Sequence, residues 1–196
     1  MLKVGLTGGI GTGKTTVAQV FSLLGIPIYG ADKRAKWLIN NDAQLINYIK
    51  ELLGDNSYLG GFYNSKWVAQ QVFANQKLLK KLNKIVHPRV GLDWELWCKA
   101  KGSFPYVIKE AAIMGKDSAD YIINVTAPSS VRLNRVLQRD KHRSESDILA
   151  IISKQSSNEY FAEISSFEIK NGNQDLVIPQ VLDIHKQLLL TLKHQS

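Results

Sequence analysis

The sequence predicts an α/β fold in three layers, a parallel five-stranded sheet with helices on both faces. Three observations carry this. The Gly-rich run Gly8-Gly9-Ile10-Gly11-Thr12-Gly13-Lys14-Thr15 stands between a short apolar strand pattern and a helical pattern. Further strand-length apolar runs alternate with helical periodicity along the chain, as they do where parallel strands are joined by helical crossovers. One long helical block separates the second strand from the third and reads as an insertion into that sheet fold.

Leu2-Lys3-Val4-Gly5-Leu6 is the first strand, and Val17, Val20, Phe21 and Leu24 recur at helical spacing until Gly25 ends the segment. Ile26-Pro27-Ile28-Tyr29 is the second strand and runs into Gly30-Ala31-Asp32. The insertion spans 33–104; it is helical in pattern to Lys101, apart from a loop over 54–64, and holds all four tryptophans, Trp37, Trp67, Trp94 and Trp97. Inside it His87-Pro88 falls between two helical patterns. Tyr106-Val107-Ile108 is the third strand, leading through Lys109 and Glu110 to Ile113; Tyr121-Ile122-Ile123-Asn124-Val125 is the fourth. A helix from Pro128 to Arg139 follows, because proline suits a first helical turn whose N–H has no partner. The polar stretch 140–145, a helix from Ser146 to Gln155 and their surroundings make a small lid over 139–160. Phe167-Glu168-Ile169 is the fifth strand, turning at Asn171-Gly172, and Val181, Ile184, Leu188 and Leu192 share one face of a closing helix. Residues 1–196 thus read as one domain carrying an insertion and a lid.

With 44% hydrophobic and 21% charged residues the composition is that of a soluble globular protein. The net charge of +8 points to anionic partners. No Lys/Arg block is long enough to suggest a nucleic-acid tail, so phosphorylated small molecules are the expected partners, with no nucleic acid and no membrane. Cys98 is the single cysteine, which excludes an internal disulfide and fits a buried position in a reducing compartment. The first strand begins at the second residue, leaving no room for a signal peptide, and no apolar stretch is long enough to span a membrane; a cytoplasmic protein is expected.

The Gly-rich run has the spacing of a loop that cradles nucleotide phosphates. Glycines let the backbone turn its N–H groups toward an anion, and the following helix presents its positive end. Gly9, Ile10, Gly11, Thr12, Gly13, Lys14, Thr15 and Thr16 are the nucleotide-binding candidates, Lys14 reaching the phosphates and the Thr15 hydroxyl suiting Mg²⁺. Ligands in such sheets sit at the carboxyl ends of the strands. Asp32 stands there, either orienting an acceptor hydroxyl or capping a helix that starts at Lys33. Glu110 also follows a strand directly. Arg132, Arg135 and Arg139 share a helical face, Arg132 reading as solvated, while Arg139 and Arg143 flank the polar break and suit a lid that closes on a triphosphate. His142, His185 and His194 read as surface residues, and no histidine or cysteine pattern suits a zinc site.

Gly5-Leu6-Thr7-Gly8-Gly9-Ile10-Gly11-Thr12-Gly13-Lys14-Thr15 strongly resembles the opening of the dephospho-CoA kinase family. Ala31-Asp32 is similar to the second half of its Asp-Ala-Asp motif. Phe73-Ala74-Asn75 and Leu82-Asn83-Lys84-Ile85-Val86-His87-Pro88 resemble its helical signature, Gln138-Arg139-Asp140 and Lys154-Gln155 its lid, and Ile169 with Asn171-Gly172 its last strand and turn. The resemblance implies a P-loop kinase fold and transfer of the ATP γ-phosphoryl to the ribose 3′-hydroxyl of dephospho-CoA, with Mg²⁺. It implies Asp32, Lys14 and Arg139 as catalytic groups, Arg143 at the nucleotide, and the insertion with His87, beside Asp32 and Glu110, at the acceptor. A monomer or weak homo-oligomer is expected.

Two positions depart from the family pattern. Gly30 stands where the first Asp of Asp-Ala-Asp is expected, and Ala112-Ile113-Met114-Gly115-Lys116 lacks the acid that many members carry after the third strand. The residues alone leave two other readings open: a P-loop kinase of another small hydroxyl acceptor (a nucleoside, nucleotide or shikimate), and a nucleotide-hydrolysing regulatory module. The tryptophan-bearing insertion argues against the first, and the lack of an Asn-Lys-x-Asp guanine-reading motif against a GTP switch.

Overall fold

A computed structural model describes residues 1–73, 75–154 and 158–193. Ala74 of the helical signature, Gln155 of the lid pattern and His194 lie outside them. The chain opens with β1 (Leu2–Thr7), α1 (Lys14–Leu23) and β2 (Ile28–Gly30). A helical block follows: α2 (Ala31–Asn41), α3 (Ala43–Leu53), the short strands β3 (Tyr58–Leu59) and β4 (Phe62–Tyr63), α4 (Ser65–Phe73) and α5 (Gln76–Ala100). The rest is β5 (Tyr106–Glu110), β6 (Tyr121–Thr126), α6 (Ser129–Arg139), α7 (Glu145–Lys154), α8 (Asn158–Ile164), β7 (Phe167–Lys170) and α9 (Val177–Lys193). Two compact units result, residues 1–30 with 101–196 and residues 31–100.

The first unit is built on a five-stranded parallel sheet in the order β2-β5-β1-β6-β7. Side chains alternate across a strand, so Leu2, Val4 and Leu6 point to one face of β1 together with Tyr106 and Ile108, Ile123 and Val125, and Ile169 of its neighbours. That face buries Val17 and Phe21 of α1 and Val181, Ile184 and Leu188 of α9. The helical stripes in the sequence are therefore the stripes that pack. The chain runs from β1 out to β2 at one edge and from β5 back across β1 to β6, so the carboxyl ends of β1 and β5 border a switch point. Among the described residues no helix is long and apolar enough to cross a membrane.

The second unit has its own core of Leu38, Leu45, Ile49, Tyr58, Val68, Leu82 and Val86. Two ion pairs tie its helices. Arg34 clasps Asp93 through Nε and Nη2 at 2.8 and 2.5 Å, and Arg89 donates to Asp42 from Nε at 2.9 Å and from Nη2. Asp42 also caps α3, accepting from the Leu45 N–H at 3.0 Å. Burial alone would raise the Asp42 carboxyl pKa, but the Leu45 N–H and the Arg89 guanidinium hold it below the ordinary value. Cys98 is buried on α5, as expected of a lone small apolar side chain.

Three expectations are corrected here. The loop over 54–64 contains a turn, Asp55–Ser57, and the β3–β4 hairpin. His87-Pro88 does not divide two helices; both residues lie inside the 25-residue α5. Pro88 removes the N–H that would bond the residue 84 carbonyl, yet buried Leu82, Val86, Trp94 and Cys98 on both sides hold the helix through it. His185 is not a simple surface residue: it is half-buried on α9, and its Nδ1 lies 2.6 Å from the hydroxyl of fully buried Tyr106. Burial raises the tyrosine pKa and lowers that of the imidazole, so a Tyr O–H donating to a neutral ring is the pairing that burial favours. Folding thus favours release of the His185 proton. Its contribution is complete above the ordinary imidazole value of 6.5 and is lost as pH falls through the depressed folded value. Thermal melting across that range is expected to show stability falling on acidification, and His185→Gln to flatten the fall; an unchanged slope in the variant would remove this pair as its source.

Candidate active site

The loop from Gly8 to Gly13 joins the end of β1 to α1, and its backbone carbonyls meet donors in succession. Lys14 Nζ donates to Gly8 O at 2.8 Å and to Gly9 O at 3.2 Å, and the Thr12 hydroxyl donates to Gly9 O at 2.9 Å. Arg132 Nε reaches Ile10 O at 2.9 Å. Asn171 Nδ2 takes Thr12 O at 2.8 Å, while Arg135 Nη1 donates to Asn171 O at 2.8 Å and lies at 3.5 Å from Gly11 O and Thr12 O. The loop is therefore held from outside by Arg132 and Arg135 of α6 and by the turn after β7.

Arg132 corrects the sequence reading. It is not solvated but 7% exposed, and burial draws its guanidinium pKa below the ordinary value. Arg135 and Asn171 were visible only as a helical-face arginine and a turn residue. Their spacing in sequence gave no sign that both close on Gly13.

Beside the loop, the Thr15 hydroxyl donates to Glu110 Oε1 at 2.9 Å. Glu110 ends β5, in register with Leu6 of β1 and Gly30 of β2. A carboxylate thus meets Thr15 although none stands over 112–116. Two hard oxygen donors, one hydroxyl and one carboxylate, suit Mg²⁺, which takes few protein ligands and completes its shell with water and phosphate oxygens. Among the described residues no group of three or more His, Cys, Asp and Glu side chains is placed to hold a metal. Such a site would rest on Thr15, Glu110 and the nucleotide itself.

The lid arginines converge on one acid. Arg139 Nε and Nη2 bind the two oxygens of Asp140 at 2.8 and 3.0 Å, and Arg143 Nε lies at 3.4 Å from Asp140 Oδ2. The bond from Arg139 holds the Asp140 carboxyl below its usual range. Arg139 is exposed and Arg143 half-buried, so the first is reachable from solvent. Asp32 and His87 belong to the other unit. Asp32 is exposed in the first turn of α2, which starts at Ala31, so it does not cap a helix beginning at Lys33. His87 is exposed midway along α5. Thr16, after Thr15 in α1, is exposed.

The family model for dephospho-CoA kinase matches residues 2–176. The chain belongs to the dephospho-CoA kinase family. A dephospho-CoA kinase of Bacteroides fragilis is 32% identical over 187 residues, covering 93% of this chain and 91% of that protein. One from Porphyromonas gingivalis is 30% identical, covering 94% and 93%. Among solved structures, a Thermus thermophilus protein is 25% identical with a TM-score of 0.80 and 97% of each chain covered. The dephospho-CoA kinase of Campylobacter jejuni has the same fold, with a TM-score of 0.70 at 21% identity over 96% of this chain and 98% of that one. For a member of this kinase family, the loop geometry makes one substitution diagnostic. Gly13 has φ +90°, and a Cβ there would lie 2.2 Å from Asn171 Nδ2. Gly13→Ala is expected to weaken nucleotide binding about tenfold or more, since left-handed backbone strain and the clash add. Gly115→Ala, where a Cβ meets nothing within 4 Å, should bind as wild type in the same titration.

Proposed function

We propose that this chain transfers the γ-phosphoryl of ATP to the ribose 3′-hydroxyl of dephospho-CoA, giving ADP and CoA. The observation that carries the reading is the Thr15–Glu110 contact at 2.9 Å, set beside Lys14 at the carboxyl end of the central strand. It is what phosphoryl transfer requires of a protein: little covalent chemistry, but fixed positive charge, an oxygen-lined cation position and an oriented acceptor. Lys14 moves its ammonium from the Gly8 and Gly9 carbonyls to the phosphates when nucleotide fills the loop. Thr15 and Glu110 would hold Mg²⁺, which would supply positive charge to offset that of the nucleotide phosphates.

Asp32 orients the acceptor hydroxyl and takes its proton as the oxygen attacks phosphorus and the bond to the β-phosphate oxygen breaks. Support comes from chain continuity: Asp32 stands two residues beyond Gly30, which is registered with Glu110. Arg139 and Arg143 bring positive charge to the transferring group, released from Asp140 to do so, and the helical unit 31–100 with exposed His87 receives dephospho-CoA. The reaction suits a cytoplasmic enzyme using Mg-ATP.

ADP release from Mg-ATP, measured with dephospho-CoA, adenosine, AMP, shikimate or no acceptor, tests the reading. Turnover confined to dephospho-CoA, with CoA as product, is expected. Turnover on another acceptor would replace the substrate, and release indifferent to acceptor would replace the reaction class. Asp32→Asn should bind both substrates and turn over about 10² to 10⁴ times more slowly. Glu110→Gln should raise the Mg²⁺ concentration for half-maximal rate about tenfold or more, as loss of a carboxylate at a metal site does; an unchanged Mg²⁺ requirement would take Glu110 out of the cation site.

A further inference from the structure

The Arg132–Ile10 contact lies at the apex of the phosphate loop, and peptide geometry gives it a consequence on the opposite side. A trans peptide is planar, so its C=O and the N–H of the next residue point in opposite directions. Fixing Ile10 O outward therefore fixes the Gly11 N–H inward. The neighbouring units are fixed in the same way: the Thr12 hydroxyl on Gly9 O sets the Ile10 N–H, and Asn171 on Thr12 O sets the Gly13 N–H. At the apex the outward carbonyl is held by the Nε of a buried arginine at 2.9 Å. The backbone of Arg132 also lies flush under the loop, since a Cβ on Gly11, at φ +77°, would come within 2.6 Å of Arg132 O and 2.9 Å of its Cα. The loop apex is thus seated on the first turn of α6 by both the main chain and the side chain of one residue.

We infer that Arg132 is a positioning residue for the phosphate loop: its bond to Ile10 O holds the Gly11 N–H turned toward the bound triphosphate. Arg132 does this from the outer side of the loop, without touching nucleotide. Its work is to prevent the Ile10–Gly11 peptide from rotating, which would present a carbonyl to an anion. A solvated face arginine would have no such effect.

The inference rests on the nucleotide half of the proposed reaction alone, so it is tested by Mg-ATP binding in the absence of any acceptor. Titration calorimetry would compare wild type with Arg132→Met, which keeps length without a donor, Arg132→Gln, which keeps a donor without charge, and Arg132→Lys, which keeps both charge and a donor. Arg132→Met should weaken Mg-ATP binding about tenfold, the usual effect of losing a bond from a charged donor. Arg132→Gln should recover most of that loss. In steady state the Met variant should raise KM for ATP, leaving KM for dephospho-CoA unmoved. A loss in Arg132→Met that disappears relative to wild type at high salt would overturn the inference in favour of a charge effect. Wild-type affinity in Arg132→Met would overturn it outright. If Arg132→Met melts below the assay temperature, Gln and Lys, both of which keep a donor, decide: binding near wild type in either supports the bond, and a loss of about tenfold in both overturns it. Failure of dephospho-CoA as acceptor would leave these binding results standing.

Discussion

A phosphate loop can turn its N–H groups toward an anion only when the carbonyls on its other side are bonded elsewhere, and this constraint organises the first unit. Each buried backbone oxygen needs a donor. Here the donors come from three places: Thr12 and Lys14 within the loop and its helix, Arg132 and Arg135 on α6, and Asn171 after β7. The sheet order follows from the same requirement. β6 beside β1 delivers α6 to the loop, and β7 beside β6 delivers Asn171, whose own N–H is anchored on Thr126 O at 2.8 Å. Burying a guanidinium costs free energy unless its N–H groups are bonded, so Arg132 is held to the loop as firmly as the loop is held to it.

On the other flank of β1 the chemistry changes sign. β5 ends in Glu110 and offers a carboxylate to Thr15, so the loop lies between cationic donors on the β6 side and an acid on the β5 side. That asymmetry separates two tasks: shaping the backbone cradle and holding a cation beside it. The lid extends the cationic side, because α6 runs from Arg132 under the loop to Arg139 at its last turn. One helix therefore carries both an arginine that shapes the loop and an arginine held in reserve by Asp140.

The sequence made the local features legible. Strand alternation, the stripes of α1 and α9 and the Gly-rich spacing are written over a few consecutive residues, and each places its element correctly. What it hid depends on partners distant in the chain. Arg132 and Arg135 look alike on a helical wheel, yet their roles are set by Ile10 and Asn171, more than 30 residues away in each case. His185 was unreadable for the same reason, since Tyr106 pairs with it across 79 residues. Pro88 misled in the opposite way: a strong local breaker was overruled by apolar packing before and after it. The Thr15–Glu110 contact was half visible, as a threonine of a known loop and an acid at a strand end, but the register that joins them belongs to the sheet.

Register also explains how the site stands with Gly30 in place of an acid. Gly30 and Glu110 are direct partners on adjacent parallel strands, about 4.8 Å apart in such sheets, so an aspartate at 30 would set a second carboxylate beside the first. Two such groups share a site only at the expense of one another's ionisation unless a cation lies between them. With glycine there, Glu110 has no carboxylate from position 30 beside it and accepts from Thr15. No acid stands over 112–116. The chain there turns back into the fold, with Ala111 and Met114 buried and the Met114 carbonyl taken by the Tyr160 hydroxyl at 3.1 Å. Ile113, Gly115 and Lys116 between and beyond them are exposed. The carboxylate that meets the loop stands instead one residue before the turn, at the last position where the sheet itself can aim it.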